Sequence, residues 1–179
     1  MSVYSVMLSD EKILRALTSF KSIAILGCTA CANASIAYDK DLPVGKLLTE
    51  KETGRVRQIP VAMAEEANRL KAILENKGID VKLELRPILC TLSDATEPDD
   101  KSLVNRCGNA EAVVALCCAA GALGIKKRFG NTVKIIPAMK TVGVYQSYTV
   151  RDSAKGLVYI DKKKSTVIRL FGRQGDKAP

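Results

Sequence analysis

Ile23-Ala-Ile-Leu-Gly-Cys-Thr-Ala-Cys31 is a short apolar run that opens into a Cys-x-x-Cys turn. The run is too short and too rich in β-branched residues for a helix. Its unbroken apolarity suits a strand covered on both faces, as in a parallel sheet. Two similar stretches follow, one leading to Cys90 and the other, Ala112–Leu116, leading to Cys117-Cys118. The strand pattern therefore places cysteines after three different strands.

The elements around these strands alternate. Ser9 or Asp10 can cap a first helix, with Ile13, Leu14, Leu17 and Phe20 as its apolar stripe. Met63, Ala67, Leu70 and Leu74 predict a second helix that starts near Pro60 and is capped by Gly78. Val81, Leu83 and Leu85 alternate with charged residues in a half-exposed strand that Pro87 ends, and Cys90 lies in the loop beyond. Asp99 or Asp100 caps a short helix holding Leu103 and Val104. Another helix turns out of Cys117-Cys118 and ends near Lys127 or Arg128, and Val133–Ile136 is a fourth strand. Residues 38–60, with Pro43, Gly45, Gly54 and Pro60, read as an irregular polar excursion.

This alternation predicts an α/β fold: a doubly wound, mostly parallel sheet of about four strands, flavodoxin- or Rossmann-like. Gly156–Ile160 and Thr166–Leu170 read as a C-terminal β-hairpin whose tip is the basic run Asp161-Lys-Lys-Lys-Ser165. The expected division is a cysteine-rich α/β domain over 1–145, then a basic hairpin extension with a frayed tail over 146–179.

Composition narrows the function classes. The chain has 179 residues, 47 % hydrophobic and 26 % charged, which fits one soluble globular unit. No charged-then-apolar leader opens it, because Asp10, Glu11 and Lys12 interrupt the first stretch, and no apolar run is long enough to span a bilayer. A cytoplasmic location, with no membrane partner, is expected. Aromatics make up 4 % and Trp is absent, which weighs against stacking on single-stranded nucleic acid. His is absent too, which removes any Cys–His dyad and every His-containing zinc site. The net charge of +9 belongs to the end of the chain: residues 1–124 balance at −1 and residues 125–179 at +10. That asymmetry suggests an acidic protein or an anionic ligand as partner, with a solvated basic face as the plainer reading.

In an open parallel sheet, ligands bind beyond the carboxyl ends of the strands. Cys28, Cys31, Cys90 and Cys117-Cys118 should all lie at that edge, and Cys107 should not. A Cys-x-x-Cys turn brings two sulfurs within reach of one metal, and two more cysteines complete a set of four thiolates. Such a set suits tetrahedral zinc or an iron–sulfur cluster. The competing readings are buried cysteines acting as small apolar residues, and a thioredoxin-like redox pair at Cys28/Cys31. A redox pair usually leads straight into its helix, whereas here a long polar excursion soon follows. No acid–base pair or nucleophile stands out for independent catalysis. Asp94, Glu97 and Asp99 fit a polar loop.

Three motifs in order carry a resemblance: Gly27-Cys-x-x-Cys-Ala32, Leu116-Cys-Cys118-x-Ala-Gly121 and Ile136-Pro-Ala-Met-Lys-Thr-x-Gly143. Over residues 20–145 the chain resembles the methylenetetrahydrofolate reductase C-terminal family, the small cysteine-rich subunit that accompanies a flavin-containing reductase. The resemblance implies a non-catalytic subunit or accessory protein of an oxidoreductase complex in one-carbon or electron-transfer metabolism. It implies a [4Fe-4S] cluster, or zinc, on Cys28, Cys31, Cys90 and Cys118, with Cys117 as a substitute for Cys118. The implied partner is the flavin-containing subunit or another acidic protein, and homo-oligomers are compatible with it. The sequence departs from the family at Ser35, where relatives often carry a cysteine, and in lacking the family's later cysteine-rich segment. Two other classes stay open. One is a doubly wound module binding a phosphorylated ligand or nucleotide at Ala119-Ala-Gly-Ala122. The other is an interaction protein stapled by zinc.

Overall fold

A computed structural model describes residues 2–49, 56–90 and 98–170. Its centre is a four-stranded parallel sheet built from β2 (Ser22–Cys28), β5 (Asp80–Arg86), β6 (Ala112–Leu116) and β7 (Lys134–Pro137), in the order β5-β2-β6-β7. β6 is buried at every position, and β2 from Ile23 onward, as their continuous apolarity requires. The two align with Ile23 beside Ala112 and Gly27 beside Leu116. On the other side of β2, Cys28 lies beside Arg86 of β5.

Helices connect these strands. They are α1 (Asp10–Leu17), α2 (Cys31–Lys40), α3 (Ala62–Glu75), α4 (Pro98–Cys107) and α5 (Ala119–Phe129). Ile13 and Leu17 bury one face of α1, and Met63, Ala67, Leu70 and Leu74 bury that of α3, both as their spacing predicts. Pro60 does not open α3. It ends a strand and pairs with Gly45, and the helix begins at Ala62. Gly78 has φ of +78°, a turn beyond a helix end that favours a residue without Cβ.

The single doubly wound sheet is overturned, because two antiparallel sheets flank the parallel one. The first joins β1 (Ser2–Met7), β8 (Met139–Gln146) and β11 (Thr166–Arg169) in the order β1-β8-β11. The second joins β3 (Gly45–Thr49), β4 (Val56–Pro60), β9 (Thr149–Asp152) and β10 (Leu157–Ile160) in the order β4-β3-β10-β9. The C-terminal hairpin is also corrected. Its two predicted strands are β10 and β11, and they belong to different sheets. β10 pairs with β9 and β3, whereas β11 pairs with β8. No hairpin forms because β9 takes the edge of β10 and β8 takes that of β11.

The excursion at 38–60 resolves into the end of α2, then β3 and β4. The helix after the Cys-x-x-Cys turn starts at Cys31 itself, so the argument that set this turn apart from a redox pair does not stand. The frayed tail expected at residues 174–179 lies outside the described residues. Among the described residues no helix is long and apolar enough to cross a membrane.

Candidate metal centre

The order β5-β2-β6-β7 decides where a ligand can sit. The chain leaves β2 toward β5 on one side and returns through β6 on the other. The carboxyl ends of β2 and β6 therefore flank the point where the strand order reverses, the usual binding crevice of an open parallel sheet. Cys28 ends β2 and Cys31 is the first residue of α2, while Cys118 is the N-cap of α5. Two helices thus begin at this crevice, and the positive ends of their dipoles favour negative charge there.

Cys28 is buried, and its thiol donates toward the Pro87 carbonyl at 3.7 Å. Burial pushes its pKa above the usual thiol range. The backbone amides of Ala30 and Leu89 pull it back, and the nearby thiols of Cys118 and Cys31 raise it again. Cys117 is pushed up strongly, by burial first and then by the charges of Cys118, Cys28 and Cys90. Cys118 and Cys31 thus lie within electrostatic reach of Cys28, and Cys118, Cys28 and Cys90 within reach of Cys117.

They are not equivalent. Cys117 packs beneath α5, where a Cβ on Gly121 would lie 2.8 Å from the Cys117 Cβ and 2.9 Å from its sulfur. Cys31 is half-buried and Cys90 is exposed. Among the described residues no three Cys, Asp or Glu side chains close into a ready-made metal set. Cys107 ends α4, fully buried in the core, and burial lifts its pKa to about 11. Asp94 and Glu97 lie outside the described residues, as does the side chain of Asp99.

The glycine and amides after β6 also have structural duties. The first amide of α5, on Ala119, donates to the Thr141 hydroxyl at 2.9 Å, and Ala122 donates to the Cys118 carbonyl at 3.0 Å. Both are occupied without an anion, and Gly121 makes room for Cys117.

Ser35 is fully buried, and its hydroxyl accepts from the Ser5 amide at 3.2 Å and donates to the Cys31 carbonyl at 2.9 Å. It therefore fastens the cysteine-bearing turn of α2 to β1. The aromatic joint beside it is not legible in the sequence. Three of the chain's five tyrosines meet there: the Tyr4 centroid lies 5.9 Å from Tyr38 and 5.8 Å from Tyr145. Tyr4 donates to the Asp39 carboxylate, and burial followed by that bond drives the phenol well above its usual range. Burial likewise lifts Tyr145 to about 12, with Cys31 among the nearby groups that raise it. The missing signal was β1, whose six residues, Ser2–Met7, show no alternation to read without its partner β8. No protein family, curated protein or solved structure matches this chain.

Proposed function

We propose that this chain is a metal-binding subunit that holds a [4Fe-4S] cluster on Cys28, Cys31, Cys90 and Cys118. What supports the reading is the placement of Cys28, Cys31 and Cys118 at the strand-order reversal, with two helix N-termini opening onto them and Cys90 within electrostatic reach of the neighbouring Cys117. Their chemistry fits the group. Thiolates are its usual ligands, and backbone amides beside sulfur tune its potential. When bound, such a cluster supplies one-electron transfer.

The chain's own residues hold and position. Cys28 sits in a cradle of the Ala30 and Leu89 amides, which stabilise its thiolate form. Cys31 is fixed by Ser35, and Cys118 by its place at the start of α5. Cys90, exposed just after the buried Leu89, is the fourth ligand of the set. Cys117, beneath Gly121, is the weaker candidate for Cys118's place. With the motif resemblance added, the reading becomes a non-catalytic subunit of a methylenetetrahydrofolate reductase-type system, cytoplasmic, serving a flavin-containing partner.

Anaerobic reconstitution followed by an absorption spectrum and metal analysis tests this. A brown protein with about four irons per chain is the expected result. Cys28→Ser should abolish uptake and Cys107→Ala should leave it intact. Colourless protein holding one zinc would replace the cluster by a structural staple, and no metal in either assay would end the reading. One observation favours a second reading, a dithiol redox pair at Cys28/Cys31: α2 starts at Cys31, as such pairs require. The raised pKa of Cys28 weighs against it. A reversible Cys28–Cys31 disulfide in the metal-free chain, absent from Cys31→Ser, would support it.

A further inference from the structure

We propose that β11 is the contact strand of a homodimer, in which two copies of this chain join edge to edge across a two-fold axis at Ile168. β11 closes one side of the β1-β8-β11 sheet, and among the described residues nothing pairs with its other side. The backbone shows which groups that side leaves open. The Leu170 amide donates to the Val142 carbonyl of β8 at 2.9 Å. The Ile168 carbonyl points the same way, since a Cβ on Gly143 of β8 would run into its oxygen. In an antiparallel ladder, alternate residues turn both backbone groups to the same neighbour. Val167 and Arg169 therefore turn their N–H and C=O groups to the open side.

Open groups of this kind template another strand unless the edge is blunted. The other edges are blunted. β5 carries Asp80, Lys82, Glu84 and Arg86 in alternation, and the short β7 ends in Pro137. The Ser35 hydroxyl covers the Ser5 amide and the Val3 carbonyl at the edge of β1. β4 ends in Pro60, and β9 sets Arg151 and Asp152 side by side. β11 instead shows Ile168 at 51 % exposure and Leu170, just beyond it, at 57 %.

Symmetry selects a second copy as the occupant. With the axis at Ile168, Val167 of each copy meets Arg169 of the other, as a two-fold contact requires. Those are the residues with open groups, so each such pair exchanges two hydrogen bonds. Ile168 then faces its own copy, and Thr166 faces Leu170, all on one face of the joined sheet. No like charges stand directly opposite: Arg169 meets Val167, and its charge acts on Asp39 within its own chain. Val3 of β1 and Val144 of β8 lie in line with Ile168 on the same face. The axis continues that β-branched row from one copy into the next.

The contact uses none of the cysteines, so it goes beyond the metal reading and stands or falls without it. One short strand buries less than a standard interface, so the dimer should be weak, with a Kd of about 1–100 μM. Each copy carries a net charge of +9, so raising salt from about 50 to 300 mM should tighten association rather than weaken it. Light scattering and sedimentation of the full chain, from about 5 to 500 μM, read both effects. Ile168→Lys sets two like charges face to face at an exposed position and should leave a folded monomer at every concentration, with the fold checked by circular dichroism. Ile168 meets its copy at a non-hydrogen-bonded position, where Cα atoms approach to about 4.5 Å, within disulfide reach. Ile168→Cys should therefore give a covalent dimer with oxidised glutathione, bridged between the two copies of position 168, and Val150→Cys on β9 should not. A monomer throughout, a dimer that a folded Ile168→Lys leaves intact, association that salt weakens, or no bridge at 168 would each overturn the proposal. If Ile168→Lys does not fold, the bridge at 168 decides alone.

Discussion

Glu66 carries its charge at a position 2 % exposed, where a lone carboxylate would be very costly. Lys40 and Arg69 both pair with it, and Arg69 reaches on to Asp10 through two bonds of 2.7 Å. Burial pushes the Glu66 pKa up, but the bonds from Arg69 and Lys40 outweigh it and leave it below the usual carboxylate range. Asp10 is lowered too, chiefly by the Arg69 bond. A carboxylate with a depressed folded pKa adds stability above its unfolded pKa and loses it as pH falls through the folded value. The wild type should therefore lose stability below about pH 4, and Glu66→Gln should flatten that slope in urea titrations at stepped pH. At neutral pH Glu66→Ala should cost about 2 kcal/mol, less than for a wholly buried pair, because both cations are more than a third exposed and can rehydrate. The same sign logic reaches the cysteines. Cys28 must shed its proton to bind metal, and burial has made that harder, so metal affinity should rise with pH across the neutral range. Competition with a chromophoric chelator at several pH values measures it.

Helices were legible where they bury long apolar side chains. α1 and α3 announce themselves through Ile13, Leu17, Met63, Leu70 and Leu74. α2 buries Ala32, Asn33, Ser35, Ile36 and Ala37, mostly small or polar, so its packing leaves no stripe to read. Asn33 shows how such a helix is held: its side-chain amide donates to the Val44 carbonyl at 2.8 Å and accepts from the Met63 amide at 2.8 Å. Those partners lie outside α2, and nothing in the local sequence declares them. The placement of cysteines after β2 and β6 followed from strand recognition alone, whereas Ser35 and the tyrosine joint depended on β1. Among the connections, the arm before Cys90 is pinned by α5. A Cβ on Gly124 would lie 2.1 Å from the Leu89 carbonyl oxygen, so no side chain fits there without moving the arm. Gly124→Ala should cost about 1–3 kcal/mol in chemical denaturation. It should also weaken metal binding by displacing the Leu89 amide from Cys28, an effect that Gly130→Ala, strained by its φ of +61° but with nothing within 4 Å, should not share.

For the molecule as a whole, the parallel sheet could be read from its buried strands, but the two antiparallel sheets could not. Each antiparallel sheet joins strands far apart in the chain. Val158 pairs with Gly45, and Tyr145 with Ser2. Short strands of this kind look alike whether they pair with a neighbour or with the far end, and proximity wrongly favoured a hairpin of β10 with β11. The β1–β8 pairing has a consequence in time as well as in space. The Ser5 and Thr141 hydroxyls lie 3.2 Å apart across 136 positions of chain. At ~5–20 residues per second of synthesis, β1 waits roughly 7–27 s for its partner to be made. Contacts of such long range form late and slowly. Tyr4→Ala should therefore speed unfolding while leaving the refolding rate almost unchanged in stopped-flow measurements. The order of synthesis then bears on metal uptake. Cys28 and Cys31 emerge long before Cys118, and Ser35 cannot fasten their helix until β1 is seated on β8. A newly made chain has its first pair of thiols in hand well before it has the structure that aims them, so loading of the proposed metal should wait until β8 has been made.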